Sequence, residues 1–158
     1  MLTWAISERD IQEKTVTVRG SSMSPLIQNE KEIVNQLGYY SFRPIRRGDV
    51  VTFKSGARTN LLIKRVYAIP GDRFEVRGKF LFLNGSPLTN SEGTPFTVPT
   101  QMLQLYARDY PQLPPQTYLV LGDQPLGSID ASRFGLIHKK DIVGRIAPHS
   151  IRQPSSSY

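Results

Sequence analysis

A chain of 158 residues can bury one core, and its lack of cysteine excludes disulfides and thiolate-held metals. Two histidines, His138 and His149, are too few for an ordinary zinc site, so neither a metal nor a cofactor is expected. The net charge of +7 admits nucleic acid, an anionic membrane surface or plain solubility. The tightest basic cluster, Arg43, Arg46 and Arg47, is not set in an aromatic-interleaved stripe, which favours a solvated face over nucleic acid. No apolar run of about 18 residues is available to span a bilayer, and the charged opening from Met1 to Lys14 is not a secretory signal.

Trp4, Ile6 and Ile11 mark a short amphipathic helix. Lys14–Val18 alternates as a strand and runs into Gly20-Ser21-Ser22-Met23-Ser24-Pro25, a turn whose glycine permits unusual backbone geometry and whose proline fixes the exit. Glu32–Val34 and Val50–Phe53 read as strands, the second entered through the turn Arg47-Gly48-Asp49. Leu61–Tyr67 returns as a strand after a loop at 55–60. Past the turn Pro70-Gly71-Asp72, Phe74–Val76 and Lys79–Leu83 form two successive hairpin connections through Arg77-Gly78 and Asn84-Gly85. Residues 86–116 are rich in Pro, Thr, Ser and Asn and read as an excursion, with a short helix at Gln101–Ala107. Thr117–Leu121 and Ile142–Ile146 are the last strands, with Gly122-Asp123 a turn between them. The expected organisation is an N-terminal segment over 1–13, a β core from 14–85 and 117–147, an insertion at 86–116 and a polar tail at 148–158. Short, closely spaced strands with little helix predict a mainly β fold.

A hydroxyl presented on a turn leaving a strand suits a nucleophile, but Gly-Ser turns are common and Ser22 needs a base. His138 and His149 lie in polar stretches without an orienting carboxylate motif and read as surface residues. A lysine base must be neutral when it works, and at its ordinary pKa of ~10.4 about one in a thousand is neutral at pH 7. Burial among apolar groups lowers that value. Lys64 alternates onto one face with Leu62 and Val66, in the most apolar strand, whereas Arg65 faces the other way with Ile63. Read from local sequence alone, Lys64 is the better fit to an edge-strand lysine that deters aggregation.

Four segments together resemble bacterial signal peptidase I. Gly20–Pro25 is similar to its nucleophile box, and Arg47–Phe53 to its structural Arg-Gly-Asp strand. Ile63–Asp72 is similar to the box with the base lysine. Gly122-Asp123-Gln124, Ser128, Asp130, Ser132–Gly135 and Val143–Arg145 are similar to the last box. The resemblance spans residues 16 to 147 and implies antiparallel sheets in a partly closed β-barrel with a short inserted subdomain. It makes Ser22 the nucleophile, Lys64 its base and Ser128 the lysine's orienting partner, with Asp130 and Arg133 a bracing ion pair. It gives the oxyanion hole to the Ser22 N–H and the Gly20 position, and substrate contacts to Met23 and Ile63. Substrates would be signal peptides of exported preproteins, bound extended along a strand edge and cut after small residues, Ala-x-Ala-like, on the extracytoplasmic face of a membrane.

The chain departs from the family pattern at Gln124 in place of asparagine, at an inserted Ala131 and at Leu26 where threonine is common. With about 21 residues before Ser22 the family's membrane anchor is missing from this sequence, which reads either as a piece without its anchor or as a soluble member held at the membrane by apolar surface or a partner. A self-cleaving repressor-type protease shares the dyad, but its Ala-Gly or Cys-Gly cleavage dipeptide is absent. A maturation or conjugation peptidase dedicated to one substrate, and an inactive basic β-barrel binding module, are the other readings.

Overall fold

The computed structural model describes residues 11–55, 60–97, 108–109, 111–124 and 136–152. Of the helix expected over Trp4, Ile6 and Ile11 only Ile11 is described, and it is not helical but leads directly into β1; the helix at Gln101–Ala107 lies outside those residues. Short antiparallel strands dominate, as the close spacing of turns predicts. They are β1 (Gln12–Thr17), β2 (Glu32–Leu37), β3 (Val50–Phe53), β4 (Leu62–Ala68), β5 (Phe74–Arg77), β6 (Phe80–Leu83), β7 (Ser86–Pro87), β8 (Thr117–Leu121), β9 (Leu136–His138) and β10 (Ile142–Ile146). Seven of them form one sheet in the order β1-β2-β10-β3-β4-β8-β9, and β5-β6-β7 form a second.

The large sheet does not close into the expected barrel, since β1 and β9 stand at its two edges. Closure needs the two edge strands to join through backbone hydrogen bonds, and among the described residues β1 pairs only with β2 and β9 only with β8. β1 is exposed at every position except the half-buried Val16. Register shifts between Ile142 and Gly144 and between Val66 and Ala68 bend the sheet without joining its edges.

Every side chain of β3 is buried, as befits a β-branched and aromatic strand between β10 and β4. Val51, Phe53, Val66, Tyr118, Val120 and Ile137 pack with Tyr40 and Ile45. Ile33, Val50 and Ile146 pack with Val18, Met23 and Ile27. The small sheet is held by a third cluster that joins Phe74, Leu81, Leu88, Phe96 and Leu113 to Ala68, Leu119 and Leu121.

Several short elements escaped sequence reading, among them a 3-10 turn at Lys139–Asp141. Tyr39–Ser41 is a 3-10 turn, β9 spans three residues, and Pro148–Ile151, inside the stretch read as a polar tail, is one helical turn, α1. Ser150 ties α1 down, its hydroxyl accepting from the Val34 N–H at 3.1 Å and donating to the Ala147 carbonyl at 2.6 Å. Among the described residues no helix is long and apolar enough to cross a membrane.

Candidate active site

The β1–β2 ladder continues past both strands, with the Val18 N–H donating to Lys31 and the Glu30 N–H donating to Val18. Gly20 follows, and its N–H donates to Asn29 Oδ1 at 2.9 Å. The chain then winds through a tight turn in which the Ser24 N–H reaches the Ser21 carbonyl and the Ile27 N–H the Met23 carbonyl. Val18 and Met23 are driven into the core while Ser22 between them stays exposed. Burial of the flanking apolar residues therefore fixes the turn and presents the hydroxyl to solvent.

Lys64 comes from the middle of β4, opposite Val51, and is only 5% exposed. Strand alternation sets it between Leu62 and Val66, both packed in the cluster around Val51 and Phe53, as the sequence predicts. An edge-strand lysine exposed to deter pairing is excluded, because β4 lies between β3 and β8 and Lys64 is buried.

Ser22 and Lys64 line the same groove, about 830 Å³ in volume, together with Val16–Arg19 and Asn60–Ile63. Met23 and Ile63 also line it, and Asn35 and Thr52 contribute two buried polar side chains. The Thr52 hydroxyl donates to Asn35 Oδ1 at 3.0 Å. Gly144 passes so close that a Cβ there would strike both side chains.

The Ser22 backbone and the Lys64 amine meet at Gly122, just beyond β8. A Cβ on Gly122 would lie 3.5 Å from Lys64 Nζ and overlap the Ser22 carbonyl oxygen. The next residue but one holds the same oxygen, the Gln124 N–H donating to it at 3.3 Å. Between them Asp123 is fully buried, and its carboxylate accepts from the Leu26 N–H at 3.0 Å and from Ser91. Sequence reading saw Gly122-Asp123 as a turn and a motif, but not this contact. The available signal was a glycine directly after an apolar strand, where a close backbone approach is common.

Tyr67 lies behind this corner. Burial pushes its hydroxyl up to about 12, with Arg65 opposing and Asp123 adding to the shift, so it is neutral at ordinary pH. Neither histidine belongs to the groove: His149 is exposed, and His138 Nδ1 accepts from the Lys140 N–H at 3.1 Å. The Gly20 N–H is engaged by Asn29 Oδ1. Ser128, Asp130 and Arg133 lie outside the described residues. Among the described residues no group of histidine, aspartate or glutamate is arranged to hold a metal ion.

The family model "Signal peptidase, peptidase S26" matches residues 2–149. A signal peptidase I of Bacillus caldolyticus is 32% identical over 141 residues, which covers 82% of this chain and 74% of the relative. Signal peptidase I V of Bacillus subtilis strain 168 is 31% identical over 139 residues, covering 82% and 81%. A crystal structure of a signal peptidase I from Enterococcus faecalis V583 superimposes with a TM-score of 0.49 at 25% identity, over 66% of this chain and 98% of that one.

Proposed function

The chain belongs to the signal peptidase family, and from that premise we propose that it is a serine endopeptidase working through a Ser22–Lys64 dyad. The observation that carries this reading is the shared groove, in which an exposed serine on a braced turn and a buried lysine converge on Gly122. A base lysine must accept a proton, and burial disfavours the charged form of an amine. The turn keeps Ser22 accessible to a peptide and the core keeps Lys64 sheltered from water, which are the two environments such a pair needs.

In the proposed reaction the Ser22 hydroxyl attacks the scissile carbonyl while Lys64 takes its proton. Collapse of the tetrahedral intermediate returns that proton to the leaving amine and leaves an acyl-enzyme on Ser22. Water, deprotonated by the same amine, releases the acid. The Ser22 N–H supplies one oxyanion donor, a contribution of roughly 3 kcal/mol in comparable holes. Ser128 is proposed to orient Lys64, with Asp130 and Arg133 bracing that corner. Substrates are leader peptides of exported preproteins with small residues before the cut, lying extended in the groove against Met23 and Ile63, at the extracytoplasmic face of a membrane.

The test is cleavage of an Ala-x-Ala leader peptide in detergent by wild type, Ser22→Ala and Lys64→Ala. Each variant is expected to lose at least ~1000-fold in kcat while keeping its melting temperature. Cleavage at the wild-type rate by either one overturns the dyad.

A further inference from the structure

Asp123 is a carboxylate with no exposed surface, and a buried charge persists only where donors surround it. Its donors come from two distant parts of the chain. From the turn that carries Ser22, the Leu26 N–H reaches Asp123 Oδ2 at 3.0 Å. From the loop that follows β7, Ser91 supplies its N–H to Oδ1 at 2.9 Å and its hydroxyl to Oδ2. The neighbouring Asn90, itself buried, donates its side-chain amide to the Asp123 carbonyl at 2.9 Å.

The loop that presents these donors is tightly knit. Asn90 Oδ1 accepts from the N–H groups of Glu92 and Thr94 at 3.0 and 2.9 Å, and the Asn90 N–H donates to the Thr94 carbonyl. A bridge between Thr89 and Pro95 closes its base. The loop therefore holds its own shape and gives Asp123 one place to sit.

Asp123 in turn stands between the two residues that contact the Ser22 carbonyl, the close-packed Gly122 and the donating Gln124. Any drift of Asp123 is passed to the turn that carries Ser22 at two points, the Ser22 carbonyl held by Gln124 and the Leu26 N–H. We infer that Ser91 is a positioning residue for the nucleophile: through Asp123, the loop of the small sheet sets where the Ser22 hydroxyl points. This rests on the proposed role of Ser22, and the test separates the two.

Steady-state cleavage of the Ala-x-Ala peptide is measured for wild type, Ser91→Ala, Ser91→Thr, Glu92→Ala and Ser22→Ala. A misplacement of the order of 1 Å at a reacting group costs up to ~100-fold, so Ser91→Ala is expected to lower kcat by roughly tenfold or more with KM little changed. Ser91 is exposed, so threonine fits and keeps the hydroxyl; Ser91→Thr is expected to restore most of the rate, with Glu92→Ala as the unchanged control. If Ser22→Ala is dead but Ser91→Ala matches wild type, or its loss is in KM alone, or threonine does not rescue it, the inference is overturned and the dyad stands. An active Ser22→Ala overturns the dyad and the inference with it.

Discussion

At the scale of single residues, the site depends on an atom that is missing. Gly122 lets the Ser22 carbonyl and the Lys64 amine approach one backbone position from different elements, and a methyl group there has nowhere to go. The obstacle is main chain, not the flexible end of a side chain, so Gly122→Ala must push the serine turn away from β4. We expect kcat/KM for the leader peptide to fall at least ~100-fold, because near-attack geometry tolerates displacements well under 1 Å. The melting temperature should change by only a few degrees, since the turn remains anchored by Met23 and Ile27. Undiminished turnover by this variant would mean that the two groups do not act together. The proposed pair Ser22 and Lys64 was singled out by four segments in the family's order, since a hydroxyl in a Gly-Ser-Pro turn and a cation in an apolar strand each read locally as something plainer. The roles of Gly122, Asp123 and Ser91 were not legible there, because they arise from contacts between residues some 30 to 100 positions apart, as with Ser91 and Leu26 on Asp123.

At the scale of elements, the connection from β4 to β5 is held by one carboxylate. Arg47, entering β3, donates through Nε and Nη2 to Asp72 at 2.7 and 2.6 Å, and Asp72 also accepts from the Ile69 N–H and from Asn84. The Arg47 hydrogen bonds, first among these donors, lower Asp72 from 3.8 to about 2 against the opposing effect of burial. A carboxylate whose folded value is depressed adds stability above its unfolded value and loses it as pH falls through the folded one. Asp72→Asn should therefore cost about 2 kcal/mol at pH 7, and the two proteins should converge between about pH 4 and pH 2. Urea denaturation at pH 7, 4 and 2 measures this, and a difference that stays constant across the three rejects it. The turns around this connection were readable, since Pro70-Gly71-Asp72 and Asn84-Gly85 announce themselves by composition. The three-residue β9 was not, because so short a segment offers no period to detect and gains its place from pairing with β8.

At the scale of the whole molecule, the two sheets share a core instead of merely touching. Phe96, 2% exposed, comes from the region whose composition reads as an excursion, yet it packs with Phe74, Leu81 and Leu88 of the small sheet's surroundings and with Ala68, Leu119 and Leu121 of the large sheet. Its ring meets Tyr67 edge-on at 5.1 Å between centroids. The polar residues of 86–97 mask this in the sequence, because two apolar side chains, Leu88 and Phe96, carry the attachment and neither belongs to a periodic run. Removing a buried phenylalanine leaves a cavity that packed neighbours only partly fill, so Phe96→Ala should cost ~3–5 kcal/mol. For a chain of this size that lowers the melting temperature by roughly 10 °C or more. Because the cavity opens in the common cluster, we expect calorimetry to show one cooperative transition moved down as a whole, with no early melting of the small sheet. Two separated transitions would mean that β5-β6-β7 folds by itself and that the loop bearing Ser91 is mounted on an independent unit. One shifted transition would mean that the rigidity of the serine turn is drawn from the core both sheets build together.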